Sequence, residues 1–194
     1  YYAGIKLASS GGITISNVTS TANGYGIWFA SGGGNRIYDS VLSSSLSYDI
    51  RQVASVTNTV DNVTFTRTSS TVDALAAPIL VKMRARALVR DSATPFTAIS
   101  GATVSVTDAS LAATSLGATD SDGYTAYTRL PAYTITSASA DTTNGSYNPY
   151  SVSSTGNTGY ETFVEPQTPS SRDQTLEVDL VPTLAATPGP PRPT

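Results

Sequence analysis

One pattern is written three times in the first third of the chain. Ala3-Gly4-Ile5-Lys6-Leu7, Tyr25-Gly26-Ile27-Trp28-Phe29 and Tyr48-Asp49-Ile50-Arg51-Gln52 align. So do Ile15-Ser16-Asn17-Val18-Thr19, Ile37-Tyr38-Asp39-Ser40-Val41 and Val60-Asp61-Asn62-Val63-Thr64. Ile5, Ile27 and Ile50 stand 22 and then 23 residues apart, and Asn17, Asp39 and Asn62 repeat both steps. Two separate markers sharing one period are hard to reach by chance in a chain this rich in Ser and Thr. The repeats alternate apolar with polar residues and lack the 3.6-residue spacing of a helix. Units of this length made of short strands stack into a solenoid, because none can bury its apolar row alone. Residues 1–77 are therefore expected to form about three coils.

Stacking places Ile5, Ile27 and Ile50 over one another at roughly 4.8 Å, facing the lumen. The Asn17, Asp39, Asn62 column falls where a strand must bend. Asn and Asp tolerate left-handed backbone there and can bond to the neighbouring coil. Coil three carries Gln52 where Leu7 and Phe29 stood, which points to a solenoid near its end. Gly32-Gly33-Gly34-Asn35 reads as a turn, since no helix start or phosphate-binding Lys follows. Residues 66–77 read as a closing coil and linker.

These three coils resemble the right-handed parallel β-helix of the pectate-lyase-like superfamily, which includes polysaccharide lyases and hydrolases, adhesins and phage tailspikes. A chain that opens inside a coil is expected to be preceded by further coils or covered by another subunit.

From Pro78 the pattern changes. Ile79, Val81, Met83, Ala85, Ala87 and Val89 alternate with Leu80, Lys82, Arg84, Arg86, Leu88 and Arg90, which predicts a long strand with one apolar and one basic face. Alternating strands are also predicted at 101–107, near Thr125–Leu130, near Tyr133–Ala138, and at 176–180, with turns at 91–95 and 119–124. Asn144-Gly145-Ser146 and Asn148-Pro149 mark a loop. Short strands with turn chemistry between them predict an antiparallel sandwich over 78–182. Ser100-Gly101-Ala102-Thr103-Val104 followed by Thr119-Asp120-Ser121-Asp122-Gly123-Tyr124 resembles the carboxypeptidase regulatory-like and related Ig-like surface domains. Such domains serve as spacers, stalks or adhesive modules. The expected fold class is thus all-β: right-handed parallel β-helix coils followed by an Ig-like antiparallel β-sandwich. Residues 183–194 form a stiff, Pro-rich tail.

Composition narrows the chemistry. Among 194 residues only 13% are charged, 39% are hydrophobic, and neither His nor Cys occurs. Low charge with many hydroxyls and 11 Tyr suits long β surfaces and argues against disorder. Without His or Cys, nucleophilic catalysis of the Ser/His or Cys/His kind and ordinary zinc sites are excluded. A net charge of −3 argues against a nucleic-acid partner. No apolar run approaches the roughly 20 residues of a membrane-spanning helix. A polysaccharide hydrolase needs two carboxylates roughly 5 to 9.5 Å apart across one cleft. The coil acids are Asp39 in the corner column, Asp49 at another bend, Asp61, expected to point outward, and Asp73. No two share a column, so no catalytic pair and no cofactor are expected. Asp120 and Asp122 could offer oxygens to calcium, but Asx-turn roles suit them better.

Two surface features have two readings each. Lys6, Trp28 and Arg51 share one outward register. They could form a platform for a carbohydrate ring or acidic polymer; the favoured reading is structural, as a cation–π ladder or the patch on which the sandwich packs. Lys82, Arg84, Arg86 and Arg90 could hold an acidic polysaccharide or anionic lipid. Alternatively they blunt a strand edge or pair with Glu177 and Asp179 across the sheet. Asn17, Asn62 and Asn144 head acceptor sequons for N-glycosylation. The expected function is that of an extracellular structural or adhesive protein of a microbial surface, with copies of itself head to tail and surface polysaccharide as partners. The alternative is the non-catalytic end of a secreted polysaccharide lyase or hydrolase with active coils upstream.

Overall fold

The computed structural model describes residues 2–9, 11–43, 45–66, 70–74, 76–92, 97–136, 147, 150–155, 163–167 and 174–180. Every regular element among them is a strand. Coil one supplies β1 (Ala3–Leu7), β2 (Thr14–Ser16) and β3 (Thr19–Thr21). Coil two supplies β4 (Tyr25–Phe29), β5 (Arg36–Tyr38) and β6 (Val41–Ser43). Coil three supplies β7 (Tyr48–Gln52) and β8 (Asn58–Asp61), with Thr64 bridged in parallel to Val41. Successive coils pair in parallel, giving a solenoid-like stack of about three turns.

The expected register holds. Ile5 pairs with Ile27 and Ile27 with Ile50, while Ile37 pairs with Val60. Ile27, Ile37, Ile50 and Val60 are fully buried in the lumen. The corner column is left-handed at every level, with φ of 55° at Asn17, 48° at Asp39 and 54° at Asn62. A short polar side chain tolerates that conformation where most would be strained. The Asn62 Nδ2 donates to Asp39 Oδ1 at 2.7 Å, one coil away.

A second polar column, not anticipated from the repeat, runs inside the stack. Asn35 Oδ1 accepts from the Ile13 amide at 3.0 Å, and Asn58 Oδ1 from the Asn35 amide at 2.9 Å. Asn58 Nδ2 then donates to Gln52 Oε1 at 3.0 Å, and Gln52 donates onward to the Ala54 and Val56 carbonyls. All three side chains are buried and hydrogen-bonded, so the amide at position 52 is accommodated inside the lumen. Stacking also continues past coil three: β9 (Ser70–Val72) pairs with β7.

The long strand β10 (Ile79–Asp91) carries the stack into the rest of the chain. Its side chains alternate between buried and half-buried along nearly its whole length, as the period of two requires. Residues Ile79–Lys82 pair in parallel with β8, and Ala85–Asp91 pair on the same edge with β16 (Gln174–Leu180). Its other edge takes β13 (Thr128–Ile135), antiparallel. One sheet thus holds strands from both sides of the boundary expected at 77 and 78. Where two strands were expected near 125–138, β13 is one strand through Pro131. It lies at the sheet edge, and the pairing shifts there, with Val81 opposite Tyr133 and Lys82 opposite Pro131. An edge strand with a bulge is where a sheet tolerates a residue that lacks an N–H.

A second antiparallel sheet has the order β12 (Ala113–Ala118), β11 (Thr103–Thr107), β14 (Tyr150–Thr155) and β15 (Phe163–Gln167). Of these, only β11 was anticipated. Val104, Val106, Leu116 and Val152 from this sheet share one apolar core with Met83, Ala87 and Val89 of β10 and with Ile27 and Ile50 of the coils. Tyr150 is fully buried and its hydroxyl donates to the Pro131 carbonyl, joining the two sheets. Burial, reinforced by Asp108 and Tyr147, pushes that phenol above its ordinary range. The tail at 183–194 lies outside the described residues.

Candidate functional site

The three residues singled out on the coils do meet. Lys6, Trp28 and Arg51 occupy one register on β1, β4 and β7. Lys6 Nζ lies 4.3 Å from the Trp28 ring centroid, and the Arg51 guanidinium carbon 5.2 Å from it. These cations belong to the coils on either side of Trp28, and the Tyr25 ring sits 5.6 Å from the indole. Trp28 is half-buried, where an exposed ring was expected. Arg51 also donates to the Tyr25 hydroxyl at 3.0 Å and to Asp73 at 3.3 Å. Burial works against its charge, yet Asp73 and Tyr25 outweigh burial and strengthen its hold on the proton. With its neighbours so engaged, the column has the geometry of a ladder that braces successive coils.

The coil carboxylates are each committed. Asp39 accepts from Asn62. Asp49 lies within β7 and is buried, where a bend was expected. It accepts the Thr66 amide at 2.8 Å and the Ser45 amide at 3.4 Å. Asp73 pairs with Arg51. Asp61 turns away from the lumen as its register requires, but it is completely buried where an outward residue was expected in water. Arg36 and Arg129 cover it, both bonded to Oδ2, with the Arg129 Nε at 2.8 Å. Oδ1 has no hydrogen-bond partner among the described residues.

Around Asp61 the outer face of the shared sheet is basic and aromatic. Tyr38, Asp61 and Lys82 are successive partners across β5, β8 and β10, and Arg84 lies opposite Arg129 across β10 and β13. The Arg36 guanidinium lies 5.0 Å from the Tyr38 ring, and Arg84 lies 5.0 Å from that of Tyr127. Arg86 is 3.9 Å from the Tyr124 ring and 4.9 Å from Tyr127. The stripe predicted along β10 therefore divides. Arg90 pairs with Glu177 at 2.9 Å and Asp179 at 3.0 Å, as one of its two readings required. Arg84 approaches Asp39 at 4.0 Å, whereas Lys82 and Arg86 form no ion pair among the described residues. The spacing of Arg36 and Tyr38 was visible in the repeat. Arg129 reaches this face through the pairing of β13 with β10, and Tyr124 through its own antiparallel bridge to Leu88.

The sequons differ in access. Asn17 is exposed, whereas Asn62 is only 5% exposed and its amide nitrogen is spent on Asp39. Asn144 lies outside the described residues. In the turn at 120–124, Asp120 Oδ1 accepts the Asp122 and Tyr124 amides, both at 2.9 Å. That is an Asx turn, and among the described residues no three acidic side chains come together as they would to hold a metal ion. No helix of the described residues is long and apolar enough to cross a membrane. No protein-family model and no curated protein matches the chain.

Proposed function

We propose that the chain is a non-catalytic structural or adhesive module of a microbial cell exterior. In this reading, right-handed β-helix coils of the pectate-lyase-like kind carry an Ig-like, carboxypeptidase regulatory-like sandwich. The observation that carries it is the use of the coil acids. Asp39, Asp49, Asp61 and Asp73 all hold backbone amides, an Asn or guanidinium groups. A glycosidase would instead present two carboxylates toward an open cleft. Ladders of cations and rings on two outer faces brace a rod, which suits a spacer or stalk. The hydroxyl-rich, weakly charged composition also suits an extracellular surface.

Immunogold labelling of intact cells of the source organism tests this. Label on the exterior is expected, and label confined to the cytosol would overturn the proposal. A second reading, the non-catalytic end of a polysaccharide lyase or hydrolase, draws support from β1, β2 and β3. Each is the edge strand of its sheet and can receive a preceding coil. Release of unsaturated or reducing sugars by the intact native protein would favour it. The same edges can receive another copy head to tail, and electron microscopy would show fibres or rings in that case.

A further inference from the structure

Strand β10 joins the coils to the rest of the chain, and its pairing sets how the two can be pulled apart. Residues Ala85–Asp91 pair in parallel with β16, in register from Ala85 beside Gln174 to Asp91 beside Leu180. The coils lead into β10 at Ile79, whereas the chain leaves β16 after Leu180, at the opposite end of the pair. Tension along the chain therefore draws β10 toward its start and β16 toward its finish. The two strands are loaded in shear, and the evenly spaced bonds of a parallel ladder must yield together.

Side chains reinforce the same pair. On the inner face Ala87 lies beside Leu176 and Val89 beside Val178, all buried, so water cannot reach from that side to replace a stretched bond. On the outer face Arg90 reaches Glu177 at 2.9 Å and Asp179 at 3.0 Å, and Arg86 Nε donates to the Thr175 hydroxyl at 3.4 Å. Just past the ladder, the Ser92 amide donates to the Leu180 carbonyl at 2.8 Å.

The outer coils are held differently. Coils one and two rest on strands of three to five residues, stacked along the solenoid axis. A pull on coil one runs across those strands and peels their bonds one after another. Coil three is tied to the second half by β8 on β10 and by Arg129 on Asp61. Forced unfolding follows the unfolding barrier, and a barrier met one bond at a time is lower than one set by a whole ladder.

We infer that the chain is a load-bearing tether with two stages. Its outer coils unwind singly under low tension, and the β10–β16 pair is a clamp that stops further extension. The inference rests on the structural reading above, since a stalk is the setting in which a chain is pulled.

Optical-tweezers stretching of the full chain through cysteines added at its two ends tests it, the chain having none of its own. Two early steps are expected at low force, each adding roughly 70 Å for the 22 or 23 residues of a coil. Release of residues 79–180, roughly 350 Å in all, should begin only at a severalfold higher force. Moving the first attachment to Ser92→Cys loads the same β10–β16 bonds from one end, where they part singly. The force for that release should then fall severalfold, with the melting temperature of Ser92→Cys unchanged. A single event freeing coils and clamp together, a clamp force no higher than that of the coils, or equal force from both attachments would overturn the inference. The first two results need no substitution within the fold, so they decide the matter even if Ser92→Cys is unstable. An immunogold label confined to the cytosol would overturn the extracellular reading and leave these forces unaltered, so the two fail separately.

Discussion

The Arg129 Nε lies 2.8 Å from Oδ2 of Asp61, tying a strand of the second half of the chain to the third coil. Asp61 is fully buried while the Arg129 side chain is 46% exposed, and that asymmetry has a consequence for stability. Removing both guanidiniums, as Arg36→Gln with Arg129→Gln, strands a buried carboxylate and should cost about 3–5 kcal/mol. Asp61→Asn leaves two arginines that water can solvate, and should cost less, about 1–2 kcal/mol. Urea denaturation of the variants measures both. A larger loss for Asp61→Asn would show that the carboxylate, and not its cover, limits stability.

The lumen register predicts opposite outcomes at adjacent residues. Ile27 is completely buried, so Ile27→Asp places an unpaired charge in the stack. The cost rivals the roughly 5–15 kcal/mol total stability of a domain, and the variant should not fold. Trp28→Ala removes a half-buried ring and its two cation contacts, and should leave a folded protein with a lower melting temperature. Far-ultraviolet circular dichroism and thermal melts of the pair separate the two.

Asp108 makes stability depend on acid. Burial by itself would raise its pKa, but the Ser110 hydroxyl and the Ser110 and Ala112 amides donate to it and outweigh burial, so its pKa is lowered. A lowered folded-state value means that the stabilisation is complete above the unfolded aspartate value, near 3.9. It is lost as pH falls through the lower folded value. The stability gap between wild type and Asp108→Ala should therefore be constant at neutral pH and close below about pH 4. A gap that persists unchanged into stronger acid would contradict the assignment.

Two glycines in left-handed conformation should respond differently to a methyl group. Gly117 has φ of 90° and open space where a Cβ would stand, so Gly117→Ala should cost only backbone strain, about 1–2 kcal/mol. At Gly123, with φ of 80°, the new carbon would lie 2.6 Å from the Val89 carbonyl oxygen. The Gly123 amide also donates to the Asp120 carbonyl at 3.1 Å and its own carbonyl accepts the Val89 amide at 2.9 Å, so the backbone has little room to shift. Gly123→Ala should be the more damaging by a clear margin in thermal melts. Equal costs would mean that the Gly123 turn relaxes freely.

How much of this was legible in the sequence depends on the range of the interaction. The coils repeat one local environment, so a fixed step of 22 or 23 residues carried the isoleucine rows, the left-handed corner and the Lys6, Trp28, Arg51 register. The strict alternation along β10 was equally visible, because each side chain of a strand reports which face it occupies. The same step also links Ile13, Asn35 and Asn58, and the internal amide ladder could have been found by continuing the alignment one row further.

What the sequence could not decide was which strand lies beside which. Pairing of β10 with β8, β13 and β16 joins residues that no period connects, and strand order is set by closure of a common core. That pairing alone brings Arg129 to Asp61, hides a carboxylate that its alternation had sent outward, and lets β13 run through Pro131 at a bulge. It also divides the basic stripe, giving Arg90 its partners on β16 and leaving Lys82 and Arg86 without an ion pair among the described residues. Side-chain alternation is a local property of the backbone, whereas burial and charge compensation belong to whatever the finished sheet places next door.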